Sequence, residues 1–243
     1  MRYFIHLGYD GSSYRGWQRQ KNTLKTVQEI VEKKLSQIFK RKMTAYGCGR
    51  TDAGVHAIAQ VAHVELPVGL SASELRQAMN GNLQKDLRVD SVVEVANDFQ
   101  ARFSATSREY EYHLVKIYSP ITRRYAAELK WDINYILLNE CAEILSGEHD
   151  FTAFCKATAE VESKICTIYE AEWKDTEGKY IFSIRANRFL QHMVRYLVGT
   201  MLEVARGRYE VENFQNLVDN SQSEDVVVRA AAKGLFLKKV YYD

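Results

Sequence analysis

The order in which two hydrophobic periods alternate along this chain constrains it more than any other feature. Residues 2–9 alternate apolar and polar at period two, as a half-buried strand does. Thr26 then opens a helix as a capping box with Glu29. Val27, Ile30, Val31, Leu35 and Ile38 recur at helical spacing and give that helix its buried stripe. Strand patterns follow over 43–48 and 59–66. Ser71 with Glu74 caps a second helix, and a strand runs over 88–95. The order is β-α-β-β-α-β, and it recurs. A strand over 109–117, a helix over 134–145, strands over 165–173 and 180–186, and a helix over 190–205 are followed by an extra helix at 211–218 and a strand at 235–241. In the helix over 190–205, Val194, Leu197, Val198, Met201, Leu202 and Ala205 form one unbroken apolar face, and Gly207 can supply a left-handed stop. Two such series specify an α+β chain, a duplicated ferredoxin-like architecture of antiparallel sheets backed by helices. The expected halves are residues 1–104 and 105–243, joined through the polar segment 97–108.

Charge is distributed unevenly along that frame. The net charge is only +2, from 33 basic and 31 acidic side chains. Yet residues 15–42 carry nine basic groups against Glu29 and Glu32, including Arg15, Arg19, Lys33 and Lys34. Residues 139–177 hold ten acids and three lysines, and 185–208 return to five arginines and one glutamate. Basic segments that also carry Tyr14, Trp17 and Phe189 suggest a phosphate-contacting stripe; the alternative is a set of solvated helix faces.

Other classes find little support. No apolar run reaches the length of a membrane span, and residues 1–10 read as a strand, so neither membrane insertion nor secretion is expected. Cys48, Cys141, Cys155 and Cys166 lack metal-clip spacing and read as free thiols in a reducing cytoplasm. The six histidines make no zinc motif, so no metal is expected.

The densest unusual stretch is residues 46–57, YGCGRTDAGVHA, between two strand patterns. Its three glycines permit positive φ and close approach of another backbone, which could hold Arg50 and Asp52 toward a cleft. Neither phosphate-loop spacing is present. A plain tight turn, with Asp52 as its hydrogen-bonding residue, is the competing reading.

Both halves carry motifs that resemble the tRNA pseudouridine synthase A family. Residues 9–20 (YDGSSYRGWQRQ) are similar to its opening motif and 49–56 (GRTDAGVH) to its catalytic loop. Residues 101–106 with Arg108 and Tyr110, 147–152, 189–199 and Gly234 with Leu235 extend the match. The resemblance implies two halves like RNA-recognition domains whose sheets flank a central cleft. It also implies a cytoplasmic homodimer acting on the anticodon stem-loop of tRNA, where uridines 38, 39 and 40 become pseudouridine without a cofactor. Two departures concern packing: Ala153 stands where many relatives carry Ser, and no proline precedes Gly234.

That chemistry breaks a C–N glycosidic bond, turns the base and joins its C5 to the sugar, which a carboxylate nucleophile can mediate. Asp52 is the candidate. Its target, uracil C6 or the sugar C1′, stays open. The family pattern assigns the guanidinium that keeps such a carboxylate charged and aimed to Arg195, which pattern alone would make an edge arginine. It puts an active-site tyrosine at Tyr110, able to stack under uracil and help remove the C5 proton, where the alternative is sheet-face packing. Leu235 matches an apolar residue packing against the base, or is simply strand core. Arg50 is expected to bind substrate by filling the space of an extruded uridine or holding a phosphate. His56 could contact RNA or be a buried, hydrogen-bonded histidine. A noncatalytic RNA-binding or RNA-chaperone protein is the alternative function. A glycoside hydrolase ranks last, because no motif supplies its second carboxylate.

Overall fold

The computed structural model describes residues 1–67, 69–158, 161–176, 178–220 and 226–242. Parts of the acidic stretch 139–177 (residues 159, 160 and 177) fall outside them. In chain order the elements are β1 (Arg2–Tyr9), α1 (Val27–Phe39), β2 (Ala45–Gly47), β3 (His56–Glu65), α2 (Ala72–Asn82) and β4 (Leu87–Val95). Then come β5 (Ala105–Val115), β6 (Ala127–Glu128), α3 (Tyr135–Ile144), β7 (Gly147–Asp150), β8 (Ile165–Thr176) and β9 (Lys179–Ala186). The chain continues through α4 (Met193–Ala205), α5 (Val211–Asp219) and β10 (Leu235–Tyr242). They form two compact units, Met1–Thr106 with Phe236–Asp243, and Ser107–Leu235.

In unit 1, β1 pairs antiparallel with both β3 and β4. The other edge of β3 is shared: β2 pairs antiparallel at its 62–64 end, and β10 pairs parallel at its 56–57 end. Residues 236–243, assigned to the second half from sequence order, thus belong to unit 1, because the Phe236–His56 and Leu237–Ala57 pairings place them in its sheet. Tyr3, Ile5, Leu7 and Tyr9 are the buried face of β1, the period-two pattern made real. The Thr26 hydroxyl caps α1 by accepting from the Glu29 N–H, and Ser71 with Glu74 forms the complete capping box of α2. Caps of this kind each stabilise a helix by about 1 kcal/mol.

Unit 2 is an antiparallel sheet in the order β5-β9-β8-β7, with two-residue β6 added parallel to β5. Helix α3 packs against α4, α5 and β8. Leu197, Val198 and Met201 on α4 are fully buried, and Gly207 takes the expected left-handed stop at φ +74°. The buried rings of Phe151, Phe154 and Phe214 meet in series, tilted to one another, with centroids 6.3 and 5.7 Å apart. All four cysteines are free and buried, and burial pushes the Cys141 thiol up to about 12.

Candidate active site

The loop bearing Asp52 has no regular structure, so its position is set by what surrounds it. It joins β2 to β3 and is pinned first at its base. The Cys48 N–H donates to the Val61 carbonyl at 2.8 Å. The fully buried Gln60 amide donates to the Gly49 carbonyl at 3.1 Å, while its oxygen accepts from the Cys48 thiol and the Val61 N–H, each at 3.1 Å.

The middle of the loop is laced to residues 9–17. The Trp17 N–H donates to the Thr51 carbonyl at 3.1 Å, and the Gly54 N–H to the Tyr14 carbonyl at 3.2 Å. Thr51 and Tyr9 share a buried hydroxyl–hydroxyl bond of 2.8 Å. Burial pushes the Tyr9 phenol above its ordinary range, so it stays a neutral partner at any working pH. The Val55 N–H donates to the Asp52 carbonyl at 3.1 Å, closing a turn with Gly54 at φ +80°. The tight turn is formed, with the Asp52 carbonyl closing it, and Asp52 itself is half-buried.

Two glycines of the 9–20 motif make this contact possible. Gly16 sits at φ +87°, and a Cβ there would overlap the Thr51 carbonyl. A Cβ on Gly11 would overlap the Val55 carbonyl. The two motifs, separated by some thirty residues of helix and strand, meet backbone to backbone, which only residues without a side chain allow.

His56 completes the brace from inside. Its Nδ1 accepts from the Gly11 N–H at 3.0 Å, with an Asp10 carboxylate oxygen 3.3 Å from the same nitrogen. Its ring stacks on Phe236 at 4.7 Å, and it is 1% exposed. Of its two expected roles, this is the buried, hydrogen-bonded one. Tyr14 and Trp17 are likewise interior, Tyr14 donating to the Asp86 carboxylate at 2.5 Å, so the basic stripe gains no aromatic faces from them.

Among the basic residues, Arg50 and Arg15 are exposed, as is Lys33, and Lys34 is half-buried. Arg19 is engaged: its Nη1 meets the carboxylate of Glu32 at 2.8 Å, and Glu32 is itself buried, accepting from the Ala45 N–H and the Gln28 amide. Arg19 thus neutralises an interior carboxylate, a use that spacing in the sequence could not reveal.

Unit 2 carries Tyr110, Arg195 and Leu235. Tyr110 is buried on β5 opposite Ile184, with Phe189 edge-on to its ring at 5.0 Å. Arg195 lies in the first turn of α4, which starts from His192 in a left-handed conformation at φ +70°. The strand-like segment before β10 runs along this helix: Arg195 Nε donates to the Ala230 carbonyl and the Ala230 N–H to the Arg195 carbonyl, both at 2.9 Å. A Cβ on Gly199 would overlap the Val228 carbonyl, so the close approach again rests on a glycine. Tyr112 donates to the Ala231 carbonyl at 2.9 Å; burial raises its phenol, with the nearby Arg195 charge acting the other way. Leu235 is 5% exposed, at the head of β10.

Sequence reasoning passed over Gln60 as an ordinary strand residue. A polar Gln60 inside a strand of Ala and Val was the one available sign.

Fold and loop define an α+β protein with a half-buried aspartate on a braced turn, two residues from an exposed arginine. The tRNA pseudouridine synthase family matches residues 7–104 and 141–243, and the chain belongs to that family. Its relatives include proteins named tRNA pseudouridine synthase A. That of Azobacteroides pseudotrichonymphae genomovar. CFP2 is 37% identical over 99% of this chain and 96% of its own length. Those of Bacteroides thetaiotaomicron and Chlorobium chlorochromatii are 41% and 39% identical, covering 99% and 98% of this chain and 90% and 98% of their own lengths.

Proposed function

We propose that this protein isomerises uridine to pseudouridine in tRNA, at positions 38, 39 and 40 of the anticodon stem-loop, as a cytoplasmic homodimer. The observation that carries the reading is the brace around Asp52. Hydrogen bonds from residues 9–17 and from Gln60, with glycines that allow backbone contact, hold the main chain of the turn that carries Asp52. Preorganisation of this kind is what a nucleophile requires.

Asp52 is the nucleophile. The C1′–N1 bond of uridine breaks, the freed uracil turns, a C1′–C5 bond forms, the C5 proton leaves and N1 gains a proton. Atoms and electrons balance within the substrate, so the step calls for no external oxidant or co-reactant. Arg195 aims the carboxylate, Tyr110 stacks under the base and assists loss of the C5 proton, and Leu235 packs against it. Arg50 holds the flipped-out nucleotide or the space it vacated, with extrusion costing a few kcal/mol. Arg15, Lys33 and Lys34 contact phosphates; Arg19 contributes to the same surface while neutralising Glu32.

The test is Asp52→Asn. The variant is expected to bind tRNA with near-native affinity while pseudouridine formation and tritium release from C5-labelled uridine fall below detection. Undiminished turnover would refute the role of Asp52. If wild type binds tRNA without releasing tritium, the noncatalytic alternative replaces the proposal.

A further inference from the structure

We infer that Tyr46 and Phe103 form a two-ring stacking platform in unit 1 for unpaired nucleobases of the RNA substrate. The inference rests on the reading that the substrate is tRNA.

Both side chains are exposed although their supports are rigid: Tyr46 at 54% on β2 and Phe103 at 74% in the turn after β4. Each ring already has one partner. Tyr46 stacks on His63, its cross-strand neighbour on β3, at 5.0 Å and 16° between planes. The Arg102 guanidinium carbon lies 5.2 Å from the centre of the Phe103 ring. A ring that is stacked on one side and exposed to this degree presents its other face to solvent.

The two stacks are tied together by Ala101. Its N–H donates to His63 Nδ1 at 3.0 Å, and its carbonyl accepts from the Tyr242 hydroxyl at 2.8 Å. The turn around it is closed twice, by the Ser104 N–H donating to the Gln100 carbonyl at 2.8 Å and the Gln100 N–H donating to the Ser104 hydroxyl at 3.0 Å. Because Nδ1 accepts, the imidazole is in its neutral form in this arrangement, and burial favours that form. Tyr46 therefore stacks on a neutral, immobile ring, and little conformational entropy remains to be lost when a base is added.

The chemistry of the occupant follows from what accompanies the rings. Arg102 and Arg50, four residues beyond Tyr46, are cations suited to a phosphate backbone, and aromatic faces accept any base. Tyr46 pairs with His63, seven residues along β3 from the His56 end that follows the Asp52 turn, or roughly 20 Å at strand rise, so bases gripped here lie several nucleotides from the target uridine.

The experiment uses the full chain with anticodon-arm hairpins carrying 2-aminopurine at each unpaired loop position in turn. Wild type is expected to quench the probe on binding. Tyr46→Ala and Phe103→Ala are expected to lose most of that quench and to weaken binding roughly tenfold each, the scale of one lost base stack. Their thermal midpoints should stay near wild type because the rings are exposed, and Tyr46→Phe should bind like wild type. Unchanged affinity and quench in both alanine variants overturns the platform and leaves the enzyme assignment intact. So does a shift from dimer to monomer with quenching preserved, which makes the patch a subunit contact. Failure of wild type to bind the hairpin overturns both readings.

Discussion

The Asp52 loop and the start of α4 solve the same problem, fixing one charged side chain, by opposite means. Arg195 rides on a regular helix whose apolar face is buried, and the segment 228–231 is strapped along it. Asp52 rides on no regular element. Its main chain is placed by a turn whose backbone lies against another backbone, with Gly11 and Gly16 at the contacts. A residue on a helix inherits its place from the core, whereas a residue on such a turn depends on a handful of contacts to distant sequence. Function should therefore be more fragile than stability in unit 1, and stability more fragile than function in unit 2.

Gly16→Ala puts the largest strain on that contrast. Holding a non-glycine residue at positive φ costs about 1–2 kcal/mol, and the added methyl also meets the Thr51 carbonyl. Turnover at saturating tRNA is expected to fall at least roughly 100-fold, out of proportion to the loss of thermal stability, on the scale where small misplacements of reacting groups are felt. Gly199→Ala should invert the pattern, with overpacking costing about 1–3 kcal/mol in denaturant melts and a smaller change in turnover. If both variants lose activity only in step with stability, the contrast fails.

A finer comparison removes one hydroxyl from each unit. Tyr9→Phe leaves the Thr51 hydroxyl without its buried partner, and Tyr112→Phe does the same to the Ala231 carbonyl. Each should cost about 1–3 kcal/mol of stability. Only Tyr9→Phe should also lower kcat, roughly tenfold with KM nearly unchanged, as steady-state kinetics on the two variants would reveal.

The smallest effect concerns His63. Burial, with the Arg2 charge second, holds its imidazole below the ordinary value of 6.5. Below about 6.5 the unfolded chain takes up a proton that the folded chain resists, so stability falls as pH falls through that region. Above it both states are neutral and the contribution is constant. His63→Gln should flatten this acid-side decline in urea melts between about pH 5 and 7; an unaltered slope assigns the decline to other groups.

What the sequence disclosed follows from range. β1, α1 and α4 lie where period and caps put them because those signals sit within one turn or one strand. Two-residue β6 and four-residue β7, GEHD, exist only through pairing with β5 and β8, and no local apolar pattern marks them. The GRTDAGVH motif pointed to Asp52, yet its brace was hidden, since Tyr9, Gly16 and Gln60 meet the loop only after folding. The second partner of Arg19 was hidden for the same reason: a positive charge in a basic run gives no sign that a buried Glu32 awaits it across thirteen residues.

The pairing of Phe236 with His56 has a consequence for biosynthesis. A ribosome releases residues 1–106 long before 236–242, so the strand that flanks the start of β3 arrives only after every residue of unit 2 has been made. The nascent N-terminal portion must wait with an open sheet edge and an uncovered imidazole, and unit 1 completes its sheet only once unit 2 has been made.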